Sequence, residues 1–175
     1  MKKKVKYKIG LLGGTFDPAH AGHVKISKEA KKKYNLKKVV WAVTKKNPFK
    51  KKTKYSLKKR ILFAKKINIK NKFIKVIFFE NRIKSNKTID LINYLKKKKI
   101  NYEIYLIIGA DNLINFHKWK NYNQISSKCN ILVFDRTGYK TKSLKSISYK
   151  KYKKKGLKFI NFKKINISSS QLRKI

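Results

Sequence analysis

Short apolar runs alternate along the chain with longer stretches of helical period, a pattern that predicts an α/β fold built on a parallel sheet. Strands are expected over 7–12, 39–43, 73–79, 104–108 and 131–134, with a sixth over 157–162. Helices are expected over 22–34, 56–67 and 88–97. The second carries Ile61, Leu62, Ala64 and Lys65 as a mixed amphipathic face, and the third sets Ile89, Ile92 and Leu95 on one side. Shorter helices are expected over 111–116 and 122–126, and 168–173 reads as the opening of a last one. Residues 45–54, with Pro48, read as a loop. There is no internal repeat and no Pro/Gly/Ser linker, so residues 1–175 are expected to form a single domain. In open sheets of this class ligands sit beyond the carboxyl ends of the strands, and the candidate motifs fall at those ends.

The first strand runs into Gly13-Gly14-Thr15-Phe16-Asp17-Pro18-Ala19-His20-Ala21-Gly22-His23. Glycines let a backbone approach a phosphate closely. The helix that follows presents unpaired N–H groups and the positive end of its dipole. His20 and His23 lie three apart and share one face of that helix start. Two imidazoles there make an anion site: neutral, they donate hydrogen bonds to phosphate oxygens, and protonated, they add charge. The plain alternative is a strand-turn-helix corner with two incidental histidines. It has to place two of the chain's three histidines in one Gly-rich turn by chance. The turn is neither a P-loop nor G-x-G-x-x-G, which disfavours a kinase-type or dinucleotide-dehydrogenase site.

Charge changes the picture less than its size suggests. Fifty Lys+Arg against seven Asp+Glu give a net charge of +43. All but Arg60, Arg82, Arg136 and Arg173 of those cations are Lys, spread along the whole chain. A dedicated nucleic-acid binder leans on Arg for bidentate contacts, and Lys, Asn and Ile are abundant together, as in a drift toward A/T-rich codons. A nucleic-acid partner is therefore not expected, although the charge should steer anionic substrates inward and make their binding salt-sensitive. The hydrophobic fraction of 41% and aromatic fraction of 13% suit a globular chain. The lone Cys129 sits beside the apolar run 131–134 and reads as a core thiol. No apolar run is long enough to span a membrane. The basic start Met1-Lys2-Lys3-Lys4 leads to Gly13-Gly14 without a small-residue cleavage site, so no signal peptide is expected and the expected compartment is the cytosol.

The run 13–23 resembles the signature of the HxGH nucleotidyltransferase superfamily, G-x-F-x-P-x-H-x-G-H. Four further segments narrow the resemblance to the bacterial nicotinate mononucleotide adenylyltransferases. ENRIKSNKTIDL at 80–91 looks like their acidic start followed by Ser-x-x-Thr-x-Asp before a helix. IIGADNLINFHKWKNYNQI at 107–125 resembles their strand-Gly-x-Asp segment and its Trp. VFDRTGY at 133–139 is similar to their Arg-x-x-Gly-Tyr turn, and NISSSQLR at 166–173 to their closing Ile-Ser-Ser-Thr-x-x-Arg. The five segments keep their order over nearly the whole chain. Ser170 stands where Thr is usual, the chain stops two residues after Arg173, and the loop Asn47-Pro48-Phe49-Lys50 lacks the His that some relatives carry.

The resemblance implies a Rossmann-like nucleotidyltransferase fold, a parallel sheet flanked by helices. It implies transfer of AMP from ATP to nicotinate mononucleotide, giving nicotinate adenine dinucleotide and pyrophosphate, by direct attack of the acceptor's phosphate on the α-phosphorus. His20, His23 and Arg173 are then the catalytic residues. ATP falls to Gly13, Gly14, Thr15, Phe16, Gly22, Gly109, Asp111, Arg136, Ser168 and Ser169. The acceptor falls to Thr15, Lys50, Thr88 and Trp119, with Trp119 stacking on the pyridine ring and the Thr88 backbone N–H meeting the carboxylate. Simpler roles stay open: Asp111 or Ser168 as a helix cap, Trp119 as a core aromatic. His117 reads as structural. Magnesium is expected on the ATP phosphates rather than in a dedicated protein cage, since so acid-poor a chain shows no ligand cluster. Phosphopantetheine adenylyltransferase is the enzymatic alternative, although its first motif usually has Thr where this chain has His20; a cytidylyltransferase is a weaker one. A basic nucleic-acid-binding protein is the alternative of another class. A homo-oligomer and the choice between nicotinate and nicotinamide are left open.

Overall fold

The computed structural model describes residues 7–49, 52–97, 101–162 and Leu172. Its strands are β1 (Tyr7–Gly14), β2 (Lys38–Val43), β3 (Ile74–Phe78), β4 (Tyr102–Gly109), β5 (Asn130–Phe134) and β6 (Leu157–Ile160). They form one sheet in the order β3-β2-β1-β4-β5-β6, every neighbouring pair parallel. The chain starts in the middle, winds outward to β3, then crosses back to β4 and winds outward the other way. The order reverses between β1 and β4, which opens a crevice at their carboxyl ends, where sheets of this kind take ligands.

Crossovers to parallel strands need helices, and these cover both faces. They are α1 (Ala21–Tyr34), α2 (Leu57–Ile67), α3 (Glu80–Ile83), α4 (Thr88–Lys97), α5 (Ala110–Ile114), α6 (Tyr122–Lys128), α7 (Lys140–Leu144) and α8 (Ile147–Tyr152), with a 3₁₀ turn at Phe116–Lys118. Alternate strand residues enter two separate cores. Ile9, Leu11, Val40, Ala42, Ile104, Leu106, Ile108, Ile131 and Val133 face the side covered by α4, α5 and α6. Leu12, Val39, Trp41, Val43, Tyr105, Ile107, Leu132 and Phe134 face the side of α1 and α2. A sheet buried on both faces reads as continuous apolar runs, which is why the strands stood out in the sequence.

The differences from the expected elements have local causes. β1 continues past Leu12 because Gly13 and Gly14 stay in register with Ala42 and Val43. β4 begins at Tyr102 because Tyr102 pairs with Tyr7. The sixth strand stops at Ile160, and the helix expected over 111–116 divides into α5 and the 3₁₀ turn. Helices α3, α7 and α8 were not expected; they are four to six residues long and too polar to show a period. Helix α2 differs most. Its buried positions are Arg60 and Ala64, with Ile61 partly buried against the same core, whereas Leu62 is 61% exposed, so only part of the expected apolar face is packed. The helix expected over 168–173 lies outside the described residues, Leu172 apart.

Candidate active site

The histidine pair closes the start of α1. His20 is the N-cap: its Nδ1 accepts the Gly22 N–H at 3.1 Å, and the His20 N–H donates back to Nδ1 of His23 at 3.2 Å. This is the reciprocal geometry of a capping box, with imidazoles in place of the usual hydroxyl and carboxamide. It fixes the chemistry. A nitrogen that accepts a backbone N–H bears no proton, so each ring is held as the tautomer with its proton on Nε2. The rings lie 3.9 Å apart between centroids. Burial, then the nearby Arg136 guanidinium, lowers the His20 pKa from 6.5 to about 4. Of the two modes open to the pair from sequence, His20 therefore uses the neutral one near pH 7: an N–H donor, not a cation.

The turn ahead of the pair is strained and braced. Phe16 has φ 47°, the left-handed region that a bulky side chain rarely adopts. Its ring is buried and stacked on Trp41 at 4.8 Å between centroids. Phe16 was expected beside ATP; its side chain packs in the core, with its ring also 5.0 Å from that of His23 between centroids. Trp41 Nε1 donates to Ser27 Oγ, which donates to the His23 carbonyl, so the second strand is tied to the histidine turn.

Across the crevice, Gly109 caps α5 at the end of β4. Its backbone is extended, so conformational freedom is not what a glycine supplies here. A Cβ would stand 2.5 Å from Asp111 Oδ1, so the missing side chain makes room for the carboxylate. Asp111 Oδ2 pairs with Arg136 Nη1 at 2.5 Å. Arg136 opens a tight turn in which the Tyr139 N–H donates to the Arg136 carbonyl and Gly138 takes φ 81°. A left-handed residue at that turn position calls for glycine, which accounts for the Arg-x-x-Gly-Tyr pattern. The turn thus brings Arg136 to Asp111 and within electrostatic reach of His20.

A cavity of about 470 Å³ opens beside this group, at the β1–β4 switch point. Gly13 and Gly14 line it, Trp119 and Phe49 are among its aromatic walls, and the start of α4 with Thr88 forms another side. Trp119 is half-buried against Phe116, 5.3 Å between centroids, while also lining the cavity. It packs as a core aromatic and still presents part of its ring to the cavity. Lys87 precedes α4, its carbonyl accepting from Asp90 and Leu91, so Thr88 sits in the first turn, where N–H groups lack intrahelical acceptors. Lys46, Lys87, Lys118 and Lys120 also line the cavity. The opposing charge, Glu80, is bonded to the Thr44 hydroxyl and the Lys45 N–H.

The model of the family described as Cytidylyltransferase-like matches residues 11–175. A protein of Pelagibacter ubique (strain HTCC1062) named "Probable nicotinate-nucleotide adenylyltransferase" is 66% identical over 170 residues, covering 97% of this chain and 94% of its own. The chain belongs to the nicotinate-nucleotide adenylyltransferases. A second member of that family, from Ruegeria sp. (strain TM1040), is 36% identical over 130 residues, 74% of this chain and 68% of its own. The solved nicotinic acid mononucleotide adenylyltransferase of Plasmodium falciparum, complexed with NaAD, superposes with a TM-score of 0.75 at 21% identity, over 95% of this chain and 82% of its own. That likeness supports the Rossmann-like nucleotidyltransferase fold.

Within this adenylyltransferase fold, the structure gathers Gly13, Gly14, Thr88 and Trp119 around the cavity and His20, His23, Gly109, Asp111 and Arg136 around the adjoining helix starts. Thr15 and Gly22 lie in the turn, Thr15 with its carbonyl held by Arg60 and Gly22 with its N–H held by His20. Lys50, Ser168, Ser169 and Arg173 lie outside the described residues. His117 is removed from the cavity, its N–H donating to Ser148 Oγ. Cys129 is half-buried, and burial pushes its thiol up to about 12. Among the described residues no three His, Cys, Asp or Glu groups converge on a point that could hold a metal, and no helix is long and apolar enough to cross a membrane. Sequence reasoning missed Arg60, Asp17 and Glu80 as organisers of the loops. The available signal was that Arg60 and Arg136 persist as Arg in a chain whose cations are almost all Lys.

The depressed His20 pKa has a consequence for stability. From the ordinary 6.5 down to about 4, the unfolded chain takes up a proton that the folded one refuses. Stability from this group is thus complete above pH 6.5 and is lost as pH falls toward 4. Allowing for solvent screening at a partly exposed ring, the loss is about 2 kcal/mol. Chemical denaturation at pH 7 and pH 4.5 checks this: His20→Asn should lose less stability than the parent between the two, and an equal loss would contradict it.

Proposed function

We propose that the chain transfers the AMP unit of MgATP to nicotinate mononucleotide, releasing pyrophosphate and nicotinate adenine dinucleotide. The observation that carries this reading is one crevice with two differently built halves. One half is a pair of histidines at a helix start, beside Asp111 and Arg136. The other is a ring-walled, lysine-lined cavity reached past Gly13 and Gly14. An acceptor that is a flat ring with a phosphate suits the second half, and a nucleoside triphosphate suits the first.

An acceptor phosphate oxygen attacks the α-phosphorus, the bond to the β-phosphate bridging oxygen breaks, and pyrophosphate leaves with the electron pair. The protein supplies alignment and charge stabilisation rather than a covalent step. His20 and His23 donate Nε2–H to the α-phosphate and bridging oxygens as charge builds there. Asp111, oriented by Arg136, accepts from a ribose hydroxyl. Trp119 stacks on the pyridine ring, and the first turn of α4 at Thr88 meets the ring carboxylate, where a helix start favours an anion. Ser168, Ser169 and Arg173 hold the leaving pyrophosphate, and Lys50 the acceptor, on the strength of their motif positions. Magnesium arrives with the nucleotide: the histidine pair offers donors, not lone pairs, and Asp111 is engaged with Arg136.

The cavity's four lysines against one bonded carboxylate favour an acceptor carrying two anionic groups. Pyrophosphate release from ATP and Mg²⁺ with nicotinate mononucleotide, nicotinamide mononucleotide or phosphopantetheine, offered singly, tests this. Nicotinate mononucleotide should be used best. Preference for phosphopantetheine would overturn the roles of Trp119 and Thr88, and equal use of both mononucleotides would overturn the charge argument.

A further inference from the structure

We propose that Arg60 is a positioning residue that locks the phosphate turn after β1 against the wall of the acceptor cavity, and so sets how the two substrates meet. The inference rests on the adenylyl-transfer reading. Arg60 is 2% exposed, in the middle of a helix whose other residues at the surface are mostly Lys. Its guanidinium donates four hydrogen bonds, all to backbone carbonyls, from three segments. Nη1 donates to Thr15 O at 2.6 Å and Thr44 O at 2.8 Å, Nη2 to Lys45 O at 3.1 Å, and Nε to Tyr55 O at 3.1 Å.

Those carbonyls belong to different working parts. Thr15 follows Gly13 and Gly14 in the turn that leads to His20. Thr44 lines the acceptor cavity and its N–H donates to Gly14 O at 3.0 Å. Tyr55 precedes α2, and its N–H, like that of Lys54, donates to the Asp17 carboxylate in the phosphate turn. Glu80 closes the ring from the cavity side by accepting from Thr44 Oγ1 and Lys45 N–H. Burial lowers the Arg60 pKa, and the Asp17 and Glu80 carboxylates oppose that, which keeps a cation at the hub. A cation that reaches four carbonyls from three nitrogens needs the guanidinium fork; an ammonium offers its donors from a single atom and cannot span the same carbonyls. Arg60 does not itself line the cavity, so it acts through the loops and not on the substrates.

Arg60→Lys in the full chain keeps the charge and removes the fork. Two readouts are taken on it. Amide hydrogen exchange should show peptides covering Thr15 and Thr44 losing protection together while α4 keeps its own. Steady-state kinetics, normalised to folded protein, should show kcat falling by about 10²-fold, as a misplacement on the scale of 1 Å does, with KM for ATP and for nicotinate mononucleotide each within about threefold of the parent. If Arg60→Lys does not fold, Glu80→Gln, which loosens the cavity-side arm, should show the same joint loss of protection with a smaller fall in kcat. Unchanged exchange in either loop, or unchanged kcat per folded molecule, overturns the proposal. A parent protein that releases no pyrophosphate would sink the adenylyl-transfer reading instead, while the exchange data still decide whether Arg60 couples the loops.

Discussion

His20→Asn is expected to lower kcat by about 10²–10³-fold, the usual cost of removing one donor aimed at developing transition-state charge, while leaving the melting temperature close to that of the parent. The proposed reaction gives His20 two jobs on two nitrogens. Nδ1 caps α1 by accepting the Gly22 N–H, and Asn is among the preferred N-cap residues, its Oδ1 standing the same number of bonds from the backbone. Nε2 has no counterpart in Asn. The substitution therefore keeps the cap and deletes the donor. Alanine would remove both and mix about 1 kcal/mol of lost capping into the result. His20→Gln reverses the choice, restoring a donor near the Nε2 position at the expense of the cap, and should recover part of kcat with a lower melting temperature. Activity of His20→Asn within about tenfold of the parent would show that the pair is a structural cap and that the phosphate role assigned to it is wrong.

The second large effect belongs to the acceptor alone. Trp119→Ala is expected to raise KM for nicotinate mononucleotide by about 10–10²-fold, since ring-on-aromatic stacking is worth about 1–3 kcal/mol and about 1.4 kcal/mol is a factor of ten. KM for ATP should be unchanged. Because Trp119 also packs on Phe116, some stability is lost as well, and Trp119→Phe separates the two effects: it keeps a ring for both contacts and should fall between. Equal increases in both KM values would mean that Trp119 supports the fold and does not contact the acceptor. Initial-rate kinetics with each substrate varied in turn make the distinction.

What was legible in the sequence follows from how directly a pattern maps to a contact. The strands were readable because a sheet buried on both faces turns each strand into a continuous apolar run. The histidine turn was readable because its spacing is the spacing of one helical turn, and the reciprocal cap shows why that spacing has to be three. Gly109 and Asp111 were readable as a pair, although the reason is a close approach rather than backbone freedom: a Cβ would collide with the carboxylate. Arg60 was not readable, because a helix with Ile61, Leu62 and Ala64 suggests an apolar inward face. Ala64 and Ile61 do pack, but Arg60 shares that buried side, since the loops facing it present carbonyls, not hydrocarbon. Helices α3, α7 and α8 escaped because four to six mostly polar residues carry no period to detect. The placement of Trp119 escaped as well, for a sequence offers core and cavity wall as alternatives while a half-buried ring can be both.

The most direct test of the account is to follow the α-phosphorus. ATP labelled at that atom is mixed with nicotinate mononucleotide, Mg²⁺ and the protein, and the label is traced after one turnover. Direct attack by the acceptor's phosphate predicts all of the label in nicotinate adenine dinucleotide, with unlabelled pyrophosphate released in equal amount and none of the label bound to protein. Label retained on the protein, or found in free AMP in place of the dinucleotide, would contradict the proposed reaction.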